Sequence, residues 1–183
     1  MYNFTTCESP IGLLTLACDG DSLVGLWIEN QKYYGGTILG AAARKDDMPV
    51  FGAAKKWLDR YFAGDKPSIS ELPLAPIGSE FRREVWGILC EIPYGEVTTY
   101  GRIAKKIAAA HGAHNQTYMP SRAVGGAVGH NPVSIIIPCH RVIGSDGSLT
   151  GYAGGLAAKI KLLEIEGVEL RGETNRVKPT KKP

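Results

Sequence analysis

Ten residues, Ser134–Ile143, constrain this chain more than any other stretch: they read SIIIPCHRVI. An apolar, β-branched run of this kind predicts a buried strand over 134–137, being too short for a core helix. Pro138 has no N–H to give a ladder, so the chain must turn there. Cys139, His140 and Arg141 follow at the mouth of that strand. Two readings of Cys139 stand side by side. It is a small buried hydrophobe, as free cysteine commonly is, or it is a nucleophile on a rigid support.

The chain has 183 residues, enough for one large domain or two small ones. Hydrophobic residues make up 44% and charged residues 21%, the balance of a soluble globular protein. No apolar run reaches the roughly 18 residues of a membrane span. The start, MYNFTTCESP, lacks the basic residues and apolar core of a signal peptide, so the expected compartment is the cytoplasm, or the nucleus of a host that has one. A net charge of +3 does not mark a nucleic-acid binder by itself; any such role rests on local clusters of Arg and Lys. Cys7, Cys18, Cys90 and Cys139 are scattered with no CxxC pair, which predicts free thiols and gives a structural zinc site little support.

Taken in order, Ile11–Ala17 and Leu23–Ile28 are apolar runs around Asp19-Gly20-Asp21, the pattern of a β-hairpin. The stretch 31–49 reads as loop with one weak element. Val50–Phe62 is an amphipathic helix with Phe51, Ala54, Leu58 and Tyr61 on one face, a stripe that reads as core. Gly64 falls where a C-terminal cap belongs. The segment 67–76, PSISELPLAP, has three prolines and no period; it predicts a linker and a domain boundary near residue 76.

Beyond it, Phe81, Val85, Ile88, Leu89 and Ile92 give a helical stripe stopped by Pro93. Thr98 or Thr99 can cap a helix through Tyr100, Ile103, Ala104, Ile107 and Ala108, whose other face carries Arg102, Lys105 and Lys106. A polar connection, 111–120, leads to a short helix over Ser121–Val128. Two such helices resemble a helix-turn-helix, although the connection exceeds the usual three or four residues. Gly125 and Gly126 inside the second helix disfavour it by about 1 kcal/mol each relative to Ala. Close packing against another helix, or a helix laid on nucleic acid, would each account for them. A last helix carries Leu156, Ile160 and Leu163, with Gly167 as cap and Glu166 near its buried side, where a carboxylate needs a partner. The tail from residue 171 is basic and reads as a disordered end.

At this point the residues resemble a family, the O6-alkylguanine-DNA alkyltransferases. Asn131-Pro132 and Pro138-Cys139-His140-Arg141-Val142 look like its active-site signature. Arg122-Ala123-Val124-Gly125-Gly126-Ala127, Gly151-Tyr152-Ala153-Gly154-Gly155-Leu156 and Leu162-Leu163-Glu164-Ile165-Glu166-Gly167 match further motifs in the family's order, over roughly residues 78–168. Ser9-Pro10-Ile11-Gly12 and the hairpin after it match the N-terminal domain more loosely. The resemblance implies an α/β N-terminal domain over 1–76, with a small antiparallel sheet and a helix, ribonuclease H-like. A mostly α domain over 77–170 follows, with a helix-turn-helix or winged-helix-like DNA-binding unit, and then a basic tail over 171–183. It implies a monomer that flips O6-alkylguanine out of double-stranded DNA and moves the alkyl group irreversibly to its own cysteine, with no cofactor and no membrane.

Site roles follow from the same resemblance. Cys139 is the acceptor, activated through a His140–water–Glu166 relay. Tyr100 lies near the flipped base and Tyr152 lines the alkyl pocket. Asn131 supports the active-site segment, while Val142 and Ala153 meet the guanine through their backbone. Arg122 enters the stack the base has left, where a planar cation recovers part of an unstacking cost of a few kcal/mol. Ala123, Gly125, Gly126 and Ala127 let the helix lie in a minor groove, and Arg141 counts among the DNA contacts. The chain departs from the family in the long 111–120 connection, at Gly129-His130 and at Ala153; Cys7 and Cys18 do not reproduce the zinc ligands of some members, so no metal is expected. Three rivals are weighed. A lesion sensor lacking the acceptor is opposed by Cys139, and a transcription regulator needs a further DNA-binding domain. A Cys–His hydrolase leaves Arg122 unexplained and would turn over.

Overall fold

The structure, a computed structural model, describes residues 1–112, 120–171 and 176–177. Strands β1 (Tyr2–Cys7), β2 (Leu14–Cys18), β3 (Leu23–Ile28) and β4 (Ala42–Arg44) form one sheet in the order β3-β2-β1-β4. The predicted hairpin is β2–β3. The sheet is mixed rather than antiparallel, because β4 pairs parallel with β1. β1 had no sequence signal: YNFTTC mixes polar and apolar residues, and its place is fixed by pairing on both edges.

Every residue of β2 and β3 is buried, because both faces of the sheet are covered. Leu14, Leu16, Leu23 and Leu26 pack with helix α1 (Pro49–Ala63), while Ala17, Val24 and Trp27 pack with Ile38 on the other side. Pro49 opens α1 and Gly64, at φ 87°, closes it. The edge of β3 is occupied from two directions. Leu23 exchanges backbone hydrogen bonds with Pro73 and Ala75, and Leu26 with Pro132 and Ser134. A single core cluster therefore runs from the sheet and α1 into the second half of the chain.

That second half is built on α2 (Glu80–Cys90), α3 (Tyr100–Ala110) and α4 (Ser121–Gly129), which pack pairwise. Thr99 caps α3 by accepting from Arg102 N at 3.2 Å. Trp86 donates its indole N–H to Ala127 O at 2.9 Å and ties α2 to α4. A two-residue parallel pair, β5 (Thr98–Thr99) with β6 (Val142–Ile143), sets the start of α3 beside the Cys139–Arg141 turn. Helix α5 (Leu156–Ile165) follows, and Gly167, at φ 76°, ends it.

Ser134–Ile137 is not a strand. It is a buried turn, with Ile137 N donating to Val133 O at 3.0 Å and Ile135 in the left-handed region at φ 71°. A β-branched residue is disfavoured there by roughly 1–2 kcal/mol. Burial of three isoleucines, each no more than 1% exposed, holds the turn in place. The tail also differs from expectation: β7 (Leu170–Arg171) pairs with β8 (Arg176–Val177). Most of the connection, 113–119, and tail residues 172–175 and 178–183 lie outside the described residues.

Candidate functional site

The turn delivers Cys139, His140 and Arg141 into the interior on one 3-10 turn, at 4%, 0% and 5% exposure. Glu166, the C-terminal cap of α5, meets them with its carboxylate fully buried. Its Oε1 faces His140 Nε2 at 2.7 Å, and Arg141 donates Nη2 to Oε1 and Nε to Oε2, each at 2.9 Å. Tyr61 OH donates to Oε1 at 2.7 Å and Gly95 N to Oε2 at 3.0 Å. One carboxylate thus receives five hydrogen bonds, two of them from a guanidinium fork. Burial alone would raise the Glu166 carboxyl; the hydrogen bonds and charge of His140 and Arg141 overcome it and hold the group at about 2.

A carboxylate only accepts, so His140 Nε2 carries the hydrogen and Nδ1 keeps the lone pair. Nδ1 is buried with no hydrogen-bond partner among the described residues. Burial lowers the basicity of His140, against the raising effect of Glu166. The imidazole is therefore neutral at rest and can accept a proton at Nδ1.

Cys139 Sγ accepts from Asn131 Nδ2 at 3.1 Å. The same amide nitrogen reaches Ile137 O at 2.8 Å, and Asn131 Oδ1 accepts from Val133 N at 3.0 Å, so Asn131 braces both ends of the turn. Burial pushes the Cys139 thiol up; the Asn131 hydrogen bond and the Lys159 ammonium pull it down without cancelling that rise. The resting sulfur is a protonated, shielded thiol. Lys159 is itself wholly buried, donating to Val142 O at 2.6 Å and Thr150 O at 3.0 Å, and burial brings it down to about 8.

The other expected residues divide. Tyr152 is at the site: its buried hydroxyl lies beside Cys139 and Ser134 without a well-aligned hydrogen bond to either, and burial next to Cys139 holds it well above the ordinary phenol range. Tyr100 opens α3, accepting from Thr150 Oγ1 at 3.1 Å. Val142 is buried, its N–H bonded to Cys139 O and its carbonyl sharing Lys159. Ala153 O accepts from Lys32 N at 2.8 Å. Lys32, Tyr33, Gly125, Gly126, Tyr152 and Ala153 line one pocket of about 280 Å³, with Tyr33 stacked on His130 at 3.9 Å.

On α4, Arg122, Ala123 and Gly126 face solvent. A Cβ at Gly126 would meet nothing within 4 Å, and one at Gly125 only the Tyr100 ring at 3.8 Å. Internal packing therefore does not require these glycines; they leave a smooth outer face. Two expectations need correction. Ala127 is 2% exposed and faces α2, so it is a packing residue. Arg141, expected on DNA, has its guanidinium consumed by Glu166 and by Ile92 O at 2.5 Å. An arginine beside a nucleophile reads as a phosphate contact, but here burial of Glu166 demands the counter-charge.

Sequence reasoning missed Tyr61 and Lys159. Tyr61 sits in the stripe that seals α1 to the core, and nothing in a helical period marks a hydroxyl as functional. Lys159 gave a signal: three residues after Leu156 and four before Leu163, it falls on the apolar face of α5.

Residues 2–76 match the family model described as 6-O-methylguanine DNA methyltransferase, ribonuclease-like domain, and residues 80–168 that described as its DNA binding domain. A Haemophilus influenzae protein named methylated-DNA–protein-cysteine methyltransferase is 41% identical over 165 residues, spanning 90% of this chain and 86% of its own. One of the same name from Methanosarcina barkeri is 42% identical, spanning 93% and 100%. The crystal structure of Mycobacterium tuberculosis OGT in complex with DNA superposes with a TM-score of 0.75 at 43% identity, covering 90% of this chain and 92% of that one.

Proposed function

Because this chain belongs to the 6-O-methylguanine DNA methyltransferase family, we propose that Cys139 is the acceptor to which it moves the alkyl group of O6-alkylguanine, irreversibly and once per molecule. The activity is that of a methylated-DNA–protein-cysteine methyltransferase, which repairs DNA by alkyl transfer to a cysteine. The observation that carries the assignment of residues is the buried Cys139 next in chain to a buried His140, whose Nε2 is fixed on Glu166 while Nδ1 keeps its lone pair.

The thiol passes its proton through a bridging water to His140 Nδ1, and Glu166 stabilises the imidazolium that forms. The sulfur attacks the alkyl carbon; the S–C bond forms as the C–O6 bond breaks, and the bonding pair leaves with the guanine. Tyr100 donates to the guanine ring as that charge develops. The proton His140 received is released to solvent or to the departing base, so a thioether and a guanine replace a thiol and an alkylguanine. A thiol of pKa about 8.5 is only a few per cent thiolate at neutral pH, and full ionisation would gain roughly 30-fold at most. Holding the base in line must supply the remainder.

Access to the sulfur requires the base to leave the duplex. The smooth outer face of α4 suits a minor groove, and Arg122 at its exposed start suits the gap in the stack. The pocket between Tyr152, Ala153 and the α4 glycines would receive the base. Asn131 holds the sulfur. We read the protein as acting alone, as a monomer, without metal or cofactor, and in the cytoplasm, or in the nucleus of a host that has one. Two parts of the chain divide the work, 1–76 as support and 77–170 as the reactive and DNA-binding part, with 171–183 appended. Intact mass spectrometry after incubation with a duplex oligonucleotide carrying O6-methylguanine tests this. One methyl per molecule, on the peptide containing Cys139, is the expected result; no gain, a gain elsewhere, or continued turnover would overturn it.

A further inference from the structure

The acceptor machinery has a member that comes from the N-terminal part. Tyr61 lies on α1, 79 residues before His140, and its hydroxyl reaches Glu166 Oε1 at 2.7 Å. That oxygen is the one facing His140 Nε2. Tyr61 OH and His140 Nε2 also lie 3.4 Å apart, but both donate to Oε1, so neither is the other's partner. The Tyr61 ring cannot wander. Trp57 stacks on it at 5.5 Å and 7°, while Phe62 and Tyr94 meet it edge-on at 5.3 Å and 5.8 Å. The residue is 1% exposed.

An O–H aimed at Oε1 draws electron density from the oxygen that must stabilise the imidazolium of His140. The remaining groups around the imidazole are fixed by other bonds. Arg141 is held by Glu166 and Ile92 O, Lys159 by Val142 O and Thr150 O, and Cys139 by Asn131; Tyr94 donates to Ile165 O. Tyr61 is thus a donor on the shared oxygen supplied by a different part of the chain, and its hydroxyl can be removed without disturbing any other bond of the set.

We infer that Tyr61 is a positioning residue of the alkyl transfer: its hydroxyl fixes Glu166 Oε1 and trims the basicity of His140, so that activation of Cys139 depends on α1 being docked. This rests on the His140–Glu166 relay proposed above. Tyr61 keeps its proton throughout, since burial and the neighbouring Glu166 hold its phenol far above the ordinary range. The proton from Cys139 goes to His140 alone.

Tyr61→Phe removes the hydroxyl and keeps the ring contacts. Single-turnover transfer from an O6-methylguanine duplex, with protein in saturating excess, is followed from about pH 5.5 to 9 for both proteins. The imidazole titration of His140 is read in parallel by NMR on the unreacted proteins. Without the hydroxyl Glu166 holds the imidazolium more tightly, so the acidic limb of the rate profile moves up by half a pH unit or more. That is about a threefold loss of rate on the limb, and the His140 titration moves with it. A limb and a titration that both stay within about 0.2 unit, with only the melting temperature lowered, would make Tyr61 a packing residue and overturn the inference. A titration that moves while the limb does not would leave Tyr61 acting on His140 but overturn the relay reading instead. Should Tyr61→Phe lose its fold, 3-fluorotyrosine at position 61 keeps ring and hydroxyl, strengthens the donor, and is expected to shift both readouts the opposite way; no shift there overturns the inference equally.

Discussion

Replacing Glu166 by Gln strips the charge from a carboxylate that receives five hydrogen bonds. Gln presents one acceptor and one NH2 where five donors converge, so at least one edge of the amide must face N–H groups head-on. If the NH2 takes the Oε2 side, it opposes Arg141 Nε and Gly95 N. On the Oε1 side it opposes Tyr61, His140 and Arg141 Nη2. In either orientation the 5%-exposed Arg141 keeps its charge and loses its counter-charge. Breaking a buried pair from one side destabilises by about 3–5 kcal/mol, against total stabilities of roughly 5–15 kcal/mol. With a urea slope near 2 kcal/mol/M, the midpoint should fall by roughly 2 M at unchanged slope. Adding Arg141→Met removes the stranded guanidinium, leaving chiefly Ile92 O without its donor. The double variant should recover more than half of the lost stability while transfer stays at least tenfold slow, because His140 still lacks its carboxylate. Urea unfolding of the three proteins and single-turnover transfer decide it. A Glu166→Gln protein within about 1 kcal/mol of the parent would refute the reasoning, as would a double variant no more stable than the single.

Titration of the same carboxylate sets the acid behaviour. Its folded value of about 2 lies below the 4.5 of the unfolded chain, so its stabilisation is present above pH 4.5 and is lost as pH falls towards 2, by up to roughly 3 kcal/mol; the stability curve of Glu166→Gln should be flatter in that window. Lys159 runs the other way. With about 8 folded and 10.5 unfolded, the unfolded chain binds more protons between those values, so this group's contribution rises with pH there, and the stability of the parent relative to Lys159→Met should rise by roughly 3 kcal/mol from pH 8 to 10.5. At Ile135, φ 71° makes Gly the milder truncation, so Ile135→Gly should unfold at higher urea than Ile135→Ala by the equivalent of about 1 kcal/mol, and the reverse order would deny the left-handed turn. Arg122→Ala should slow repair of duplex DNA at least fivefold more than reaction with free O6-benzylguanine; equal losses would remove it from the stack.

Much of the site was legible in sequence because its chemistry is local: Cys139, His140 and the proline before them adjoin one another. Glu166 could be found as a carboxylate on an apolar helix face, and Gly64 and Gly167 announced their caps, while the choice of Thr99 over Thr98 came from the structure. What escaped depends on three-dimensional company. Three isoleucines in a row carry a strand signal that only tertiary packing overrides, here by forcing Ile135 left-handed. Arg141 looked outward because arginine usually does, until Glu166 is seen to need it. Tyr61 hid in a stripe whose period explains it as core. β1 alternates too poorly to be read from its own six residues and exists by pairing with β2 and β4.

The burial of Cys139 has a consequence for the interval before any damaged base arrives. On the function proposed above, a molecule spent by one reaction must keep, and its reagent must not be squandered on soluble electrophiles or oxidants that attack thiolates. At 4% exposure and with its proton held by burial, this sulfur offers them neither access nor charge. Cys7 and Cys90 are the half-buried thiols that passing oxidants would meet first. Shelf life, as much as reactivity, is what the strained turn at Ile135 secures.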